Sequence, residues 1–262
     1  MLTNIENFNS QGEIFDTHAH YDDKTFAQDE NLFEQLKDFG VMGGITCGID
    51  TQTIKKAIAL VKDTDNWYAT AGFHPENLPK SLKEIDGIIP FLSNKKVVAV
   101  GEIGLDYYWN LSEREHQINC FARQLEIAND YNLPAIVHDR EAHSDTLDIL
   151  KKYKPKGVVH CFSGSAESAA EIIKLGMYIG IGGVVTFKNA RKTIEVVKAI
   201  PLERILLETD APYLTPEPYR GKQNHSGMIT FVAQKIAQIK GIDTKTVLEV
   251  CNQNAYSLFK IK

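Results

Sequence analysis

The stretch EIFDTHAH, residues Glu13 to His20, follows two apolar residues, Ile14 and Phe15, with Asp16, His18 and His20 at every second position. Side chains two apart on an extended strand project the same way, so His18 and His20 can converge on one point at a strand end. A lone histidine is most simply a hydrogen-bonded core or surface group. Here, though, further ionisable residues end other apolar runs: Glu102 in AVGEIGLDYY, His138 in AIVHDRE, His160 in VVHCFSG and Asp210 in LLETDAPYL. Four imidazoles and two carboxylates meeting in one place make a metal site, and one with donors enough for two ions.

Those residues need elements that bring them together. Apolar runs of strand length recur along the chain: EIFDTH, GGITCGI, WYATAGF, VVAVGEIG, PAIVHD, GVVHCF, MYIGIGG and RILLETD. Between them lie segments such as FAQDENLFEQLKDFG, TQTIKKAIALVKD, EREHQINCFARQLEIANDYN and SAESAAEIIKLG, whose apolar residues recur at helical spacing. Gly40 and Gly176 stand where helix C-caps would. Eight strands, each followed by a helix, with TKTVLEVCNQNAYSLFKI as the last, predict an α/β fold. It is a (β/α)8 TIM barrel, a single domain over residues 1–262. An open doubly wound sheet is the alternative, and the lack of a GxGxxG after the first strand disfavours it. In such barrels reactive residues sit at the C-terminal strand ends, where the six residues above would fall.

The chain has 262 residues, 43% hydrophobic and 24% charged, which suffices for a full core. Its four cysteines, Cys47, Cys120, Cys161 and Cys251, include no CxxC pair, which fits a reducing compartment. The polar N-terminal stretch lacks signal-peptide character and no run is long enough to span a membrane, so the expected setting is cytoplasmic. A net charge of −5 makes no global case for nucleic-acid binding.

The motifs DTHAHYD, GFHP, GEIGLDYY, VHDRE, HCFSG, ETDAPYL and RGKQN, in order from about residue 14 to 224, resemble those of the TatD family of metal-dependent deoxyribonucleases, within the amidohydrolase superfamily of barrels. The resemblance implies two divalent metal ions: one bound by His18, His20 and Asp210, the second by His138 and His160, with Glu102 bridging. A carboxylate has two oxygens and can span ions roughly 3.5–4 Å apart. Many superfamily relatives bridge with a carboxylated lysine, whereas this motif offers Glu102 and no lysine. Cys161 should point to the other face from His160 and be core. Zinc, manganese, nickel or magnesium would all suit this mixed ligand set.

Two divalent ions outweigh two carboxylate charges, so an occupied site is locally positive within an acidic chain and can draw phosphate. Arg140, two after His138, could fork onto phosphate oxygens, with a solvated arginine as the plain alternative. His74 in GFHP resembles the family's phosphate-contacting histidine and should reach the mouth of the site outside the metal shell, with a turn histidine held by Pro75 as the plain alternative. Arg220 and Lys222 in YRGKQN are further donors, with Gly221 allowing close approach, or else a solvated loop. The family pattern continues after the asparagine with an acidic residue and a proline. Here NHSG brings His225 and Ser226 instead, which puts details of substrate contact in question. His116 and His143 read as surface residues, and Asp16 and Glu208 as partners that orient imidazoles or, equally, as buried structural groups.

The mechanism that follows is hydrolysis by an acidified water, with Asp210 as general base beside Glu102. The leading expectation is a DNA phosphodiesterase, a 3'-5' exonuclease acting on single strands or ends. The alternatives are an ester or amide hydrolase, such as a D-aminoacyl-tRNA deacylase, and a non-catalytic scaffold. The complete donor set speaks against a scaffold. The sequence leaves oligomeric state open, and a monomer would suffice.

Overall fold

The structure, a computed structural model, describes residues 2–5, 11–29, 31–109 and 111–261. The eight apolar runs form β1 (Ile14–Ala19), β2 (Val41–Thr46), β3 (Trp67–Ala71), β4 (Val97–Asp106), β5 (Ala135–Arg140), β6 (Gly157–Val159), β7 (Tyr178–Ile181) and β8 (Ile205–Leu207). They pair in sequence order, every neighbour parallel. The helices are α1 (Leu32–Lys37), α2 (Thr51–Val61), α3 (Arg114–Asp130), α4 (His143–Tyr153), α5 (Ala166–Lys174), α6 (Arg191–Ala199), α7 (Ile229–Lys240) and α8 (Thr244–Phe259). This is the (β/α)8 barrel read from the sequence.

The ring closes between β1 and the segment after β8. Ala19 bridges Ala211 in parallel, Asp210 N–H donates to the His18 carbonyl at 2.9 Å, and Thr17 Oγ1 donates to the Leu207 carbonyl at 3.0 Å. Asp16 reinforces this seam. Its carboxylate accepts from the His18 and Thr209 amides and from the Thr209 and Ser226 hydroxyls. Of the two roles that strand parity leaves open, it takes the buried structural one: it orients no imidazole, because its oxygens are taken up by the seam.

A large cluster of apolar side chains lies between the barrel wall and the helices. A second gathers Phe15, Ile45, Val98, Ile136, Val158 and Leu206 inside the barrel with Ala255, Leu258 and Phe259 of α8. Phe15, Val98 and Ile136 lie at the N-terminal ends of their strands, so α8 packs against that mouth and leaves the other open. Phe15 meets Tyr256 edge to face at 5.4 Å between centroids. Truncating so buried a phenylalanine costs about 3–5 kcal/mol.

Two connections depart from the simple strand–helix alternation. β3 is followed by 3₁₀ segments, Pro75–Asn77 and Leu82–Phe91, because Pro75, Pro79, Pro90 and Gly87 break an α-helix. FAQDENLFEQLKDFG forms only a 3₁₀ turn, Lys24–Phe26, and the short α1, since residues 27–29 offer no large apolar side chain to dock. Gly40 and Gly176 do end their helical segments at positive φ, 71° and 87°. Among the described residues no helix is long and apolar enough to cross a membrane.

Candidate metal centre

His18, His20, His160 and Asp210 come from the C-terminal end of a strand or the residues just after it, Glu102 and His138 from within theirs, and the barrel brings all six together. His18 belongs to β1 and His20 follows it, with their Nε2 atoms 3.2 Å apart. Glu102 lies within β4 and His138 within β5, while His160 directly follows β6. Asp210 stands three residues beyond β8 with φ 59°, a left-handed turn that swings its carboxylate back over β1. Its Oδ1 is 3.4 Å from His20 Nε2 and 3.6 Å from His18 Nε2.

Glu102 is at the centre. Its Oε2 is 3.2 Å from His18 Nε2 and 3.5 Å from His20 Nε2. Its Oε1 is 2.8 Å from His160 Nε2, 2.9 Å from His138 Nδ1 and 3.4 Å from His74 Nε2. One carboxylate thus faces two sets of nitrogens, one per oxygen.

Three of the four imidazoles, His18, His20 and His138, have a partner for the nitrogen turned away from the cluster. His20 Nδ1 meets the Cys47 carbonyl at 3.2 Å, and His18 Nδ1 meets Cys47 Sγ at 3.4 Å. His138 Nε2 donates to Asp106 Oδ2 at 3.0 Å. His160 Nδ1 has Glu208 Oε1 at 3.9 Å, beyond hydrogen-bond reach, while Glu208 accepts the Cys161 amide. The nitrogens left over point into the cluster. His18 and His20 Nε2 lie 3.2 Å apart and both face Glu102 and Asp210, a convergence of nitrogen and oxygen donors that suits a cation. The donor set fits divalent metal chemistry, with three groups of residues close enough to hold an ion: His18–Glu102–His160, His18–His20–Asp210 and His74–Glu102–His138.

Protonation follows the same geometry. Burial, and then the neighbouring His160, lowers His18 to about 4. Burial also works against a charged His138, but hydrogen bonds to Asp106 and Glu102 prevail and raise it to about 9. Burial opposes ionisation of Glu102, yet the surrounding imidazoles His160, His74 and His18 hold it well below the usual carboxylate range. Asp210 is lowered against the same burial cost, chiefly by His20.

A single glycine makes the Glu102–His138–Asp106 arrangement possible. Gly104 pairs with His138 across β4 and β5 at φ 147°, and a Cβ there would lie 2.0 Å from the His138 carbonyl. The strands can therefore close up, with Glu102 and Asp106 two residues either side gripping one ring. Asp106 is the partner the sequence reading missed. It shares strand parity with Glu102 inside GLDYY, and that parity was the signal.

The remaining candidates divide. His74 is deeper than expected: only 8% exposed, it sits edge-on to the His138 ring, inside the cluster rather than at its mouth. Arg140 lines the open cavity, of about 850 Å³, with its guanidinium 3.9 Å from the Tyr108 ring centroid. Arg220 and Lys222 do not line it. Arg220 packs on Phe187 at 3.8 Å, and Lys222 is exposed elsewhere. Gly221 serves its positive φ, not a close approach, since nothing lies within 4 Å of a Cβ there. Lys24 and Lys56 line the cavity instead, unforeseen because no strand-end rule points to them. Cys161 also lines it rather than the core, because φ 42° turns the chain away from strand alternation. His225 and Ser226 are fully buried, so the NHSG departure faces the seam and not the cavity. His116 bonds the Pro79 carbonyl at 2.8 Å and His143 bonds Asp139 at 2.7 Å; neither enters a ligand group.

An eight-stranded barrel with buried carboxylate and imidazole donors at its C-terminal mouth is the frame of a metal-dependent hydrolase. The family model described as TatD related DNase matches residues 15–260. The metal-dependent hydrolase YabD of Bacillus subtilis is 40% identical over 95% of this chain and 99% of its own length. The 3'-5' ssDNA/RNA exonuclease TatD of Erwinia billingiae is 32% identical over 95% of this chain and 99% of its own. The crystal structure of YjjV, a TatD homologue from Escherichia coli, superposes with a TM-score of 0.88 at 32% identity, covering 95% of this chain and 98% of that one. This chain belongs to the TatD family, and is an enzyme of the metal-dependent hydrolase class.

Proposed function

We propose that Glu102 bridges two divalent cations, one held by His18, His20 and Asp210 and the other by His138 and His160, and that the enzyme hydrolyses DNA phosphodiesters as a 3'-5' exonuclease. The observation that carries the two-metal reading is the split of Glu102, whose Oε2 faces His18 and His20 while its Oε1 faces His138 and His160. When bound, such ions acidify a water and polarise a phosphoryl oxygen.

The chain's own groups supply the rest. Asp210, ionised on the cavity wall beside His20, accepts the proton of the attacking water. His74 Nδ1 accepts the Glu76 amide at 3.1 Å, so the neutral ring carries its proton on Nε2, facing Glu102 and the cluster. That nitrogen is a donor for a phosphate oxygen rather than a metal lone pair, even though the ring is sunk among the ligands. Arg140 offers a planar fork at the cavity wall, and Lys24 and Lys56 add positive charge elsewhere on its lining. The exonuclease named among the relatives supports nucleic acid over an amide or ester as substrate.

The test is a metal-reconstituted assay with single-stranded DNA, RNA and a D-aminoacyl-tRNA side by side. Shortening of the DNA strand from its 3' end is expected. Deacylation without strand cleavage would move the deacylase reading to the front.

A further inference from the structure

We infer that Trp109 is a stacking platform for a nucleobase of a single strand next to the scissile phosphate. This rests on the phosphodiesterase reading and adds to it a subsite for the base. Trp109 is 53% exposed, a costly place for so large an apolar ring, and it lines the cavity with Glu102, His138 and Arg140.

The platform is anchored. Asp106 Oδ1 accepts the Tyr108 amide at 3.0 Å and the Trp109 amide at 2.9 Å, while its Oδ2 holds His138. Gln117 on α3 clamps the other side, accepting from the Asp106 amide at 2.9 Å and donating to the Asp106 carbonyl at 3.1 Å. One carboxylate thus ties the backbone of the Trp109 turn to the ring of His138.

The surroundings select the ligand. The Trp109 and Tyr108 rings meet edge to face, 5.0 Å between centroids and 84° between planes. The Arg140 guanidinium lies 3.9 Å over the Tyr108 ring and 5.6 Å from that of Trp109. An aromatic face beside a held cation suits a molecule that carries an anionic linkage and a flat π-system side by side, which is the repeat of a nucleic acid. Every base has a π face, so such a platform binds without reading sequence. A base inside a duplex is already stacked on both sides and cannot reach it without unstacking, so the platform favours single strands.

The experiment compares a single-stranded oligodeoxynucleotide with a strand of equal length whose residues are all abasic tetrahydrofuran nucleotides, using the metal-loaded enzyme. For the wild type, KM for the abasic strand should exceed that for the base-bearing one on the order of 10-fold, from the loss of one stacked base. In Trp109→Ala that ratio should collapse toward one, and Trp109→Phe should restore most of it. Fluorescence gives a second readout, because the other tryptophan, Trp67, is only 4% exposed. The base-bearing strand should quench the Trp109 emission and the abasic strand should not. A ratio unchanged in Trp109→Ala, or no quenching by the base-bearing strand, overturns the platform while leaving the phosphodiesterase reading intact. A wild-type enzyme that cleaves neither strand overturns both.

Discussion

His138 is gripped from both ends by β4: Glu102 Oε1 lies 2.9 Å from its Nδ1, and Asp106 Oδ2 lies 3.0 Å from its Nε2. The Asp106 bond fixes which nitrogen faces the cluster. Asp106→Ala should lower metal affinity by about 10–100-fold, the usual cost of losing a carboxylate behind a ligand imidazole. Titration with a metal-chelating competitor measures it. Unchanged affinity in a folded variant would remove Asp106 from the site's support.

Glu102→Gln tests the bridge. A neutral amide cannot replace a carboxylate shared between two cations. The variant should bind fewer metal ions per chain and lose at least about 100-fold in activity while keeping its far-ultraviolet spectrum. Elemental analysis and a thermal melt read these out. Wild-type metal content together with wild-type turnover would refute bridging.

Arg140→Ala separates phosphate recognition from metal binding. Arginine has no lone pair to offer a metal, and here its guanidinium rests on Tyr108. Full metal content with a loss of DNA cleavage on the order of 100-fold is expected. An ester substrate without phosphate should suffer much less. Equal loss on both substrates would count against a phosphate role.

Metal affinity should fall as pH falls. The hydrogen bonds that raise His138 to about 9, against the cost of burial, stabilise its imidazolium, which donates to Asp106 and Glu102 together. Below that pH a cation must displace the proton, so apparent affinity should drop about tenfold per pH unit for each proton released. Affinity that is flat between pH 9 and pH 6 would mean that His138 is not a ligand.

His225 predicts an acid-labile fold. Its Nε2 faces the Thr3 carbonyl at 2.9 Å and its Nδ1 accepts the Gly227 amide at 3.2 Å, so only the neutral ring fits. Burial lowers it to about 4, below the ordinary value of 6.5. Its contribution is complete above about pH 6.5 and is lost as pH falls through that value toward 4, up to about 3 kcal/mol. Urea midpoints at pH 7 and pH 4.5 should therefore differ less in His225→Gln than in the wild type. An identical difference in both would show that His225 does not titrate with unfolding.

Strand identity and the metal-competent cluster were legible because both follow local rules. Apolar runs of strand length between helical segments define a barrel, and a barrel assigns its reactive residues to C-terminal strand ends. His18, His20, Glu102, His138, His160 and Asp210 could be named from position alone. What tertiary structure decided were relations between distant segments. Arg220 and Lys222 read, like Arg140, as candidate phosphate donors, yet the loop after β8 folds them onto Phe187 and solvent. Asp16 has ligand parity but spends its oxygens on a seam with Thr209 and Ser226, 193 and 210 residues away. Cys47 holds two imidazoles through its carbonyl and its sulfur, and a backbone carbonyl leaves no mark in a sequence. Hydrophobic periodicity is a property of one segment and can be read from it. Which polar atom ends up opposite which depends on register, turn conformation and closure, and those exist only once the ring of strands is complete.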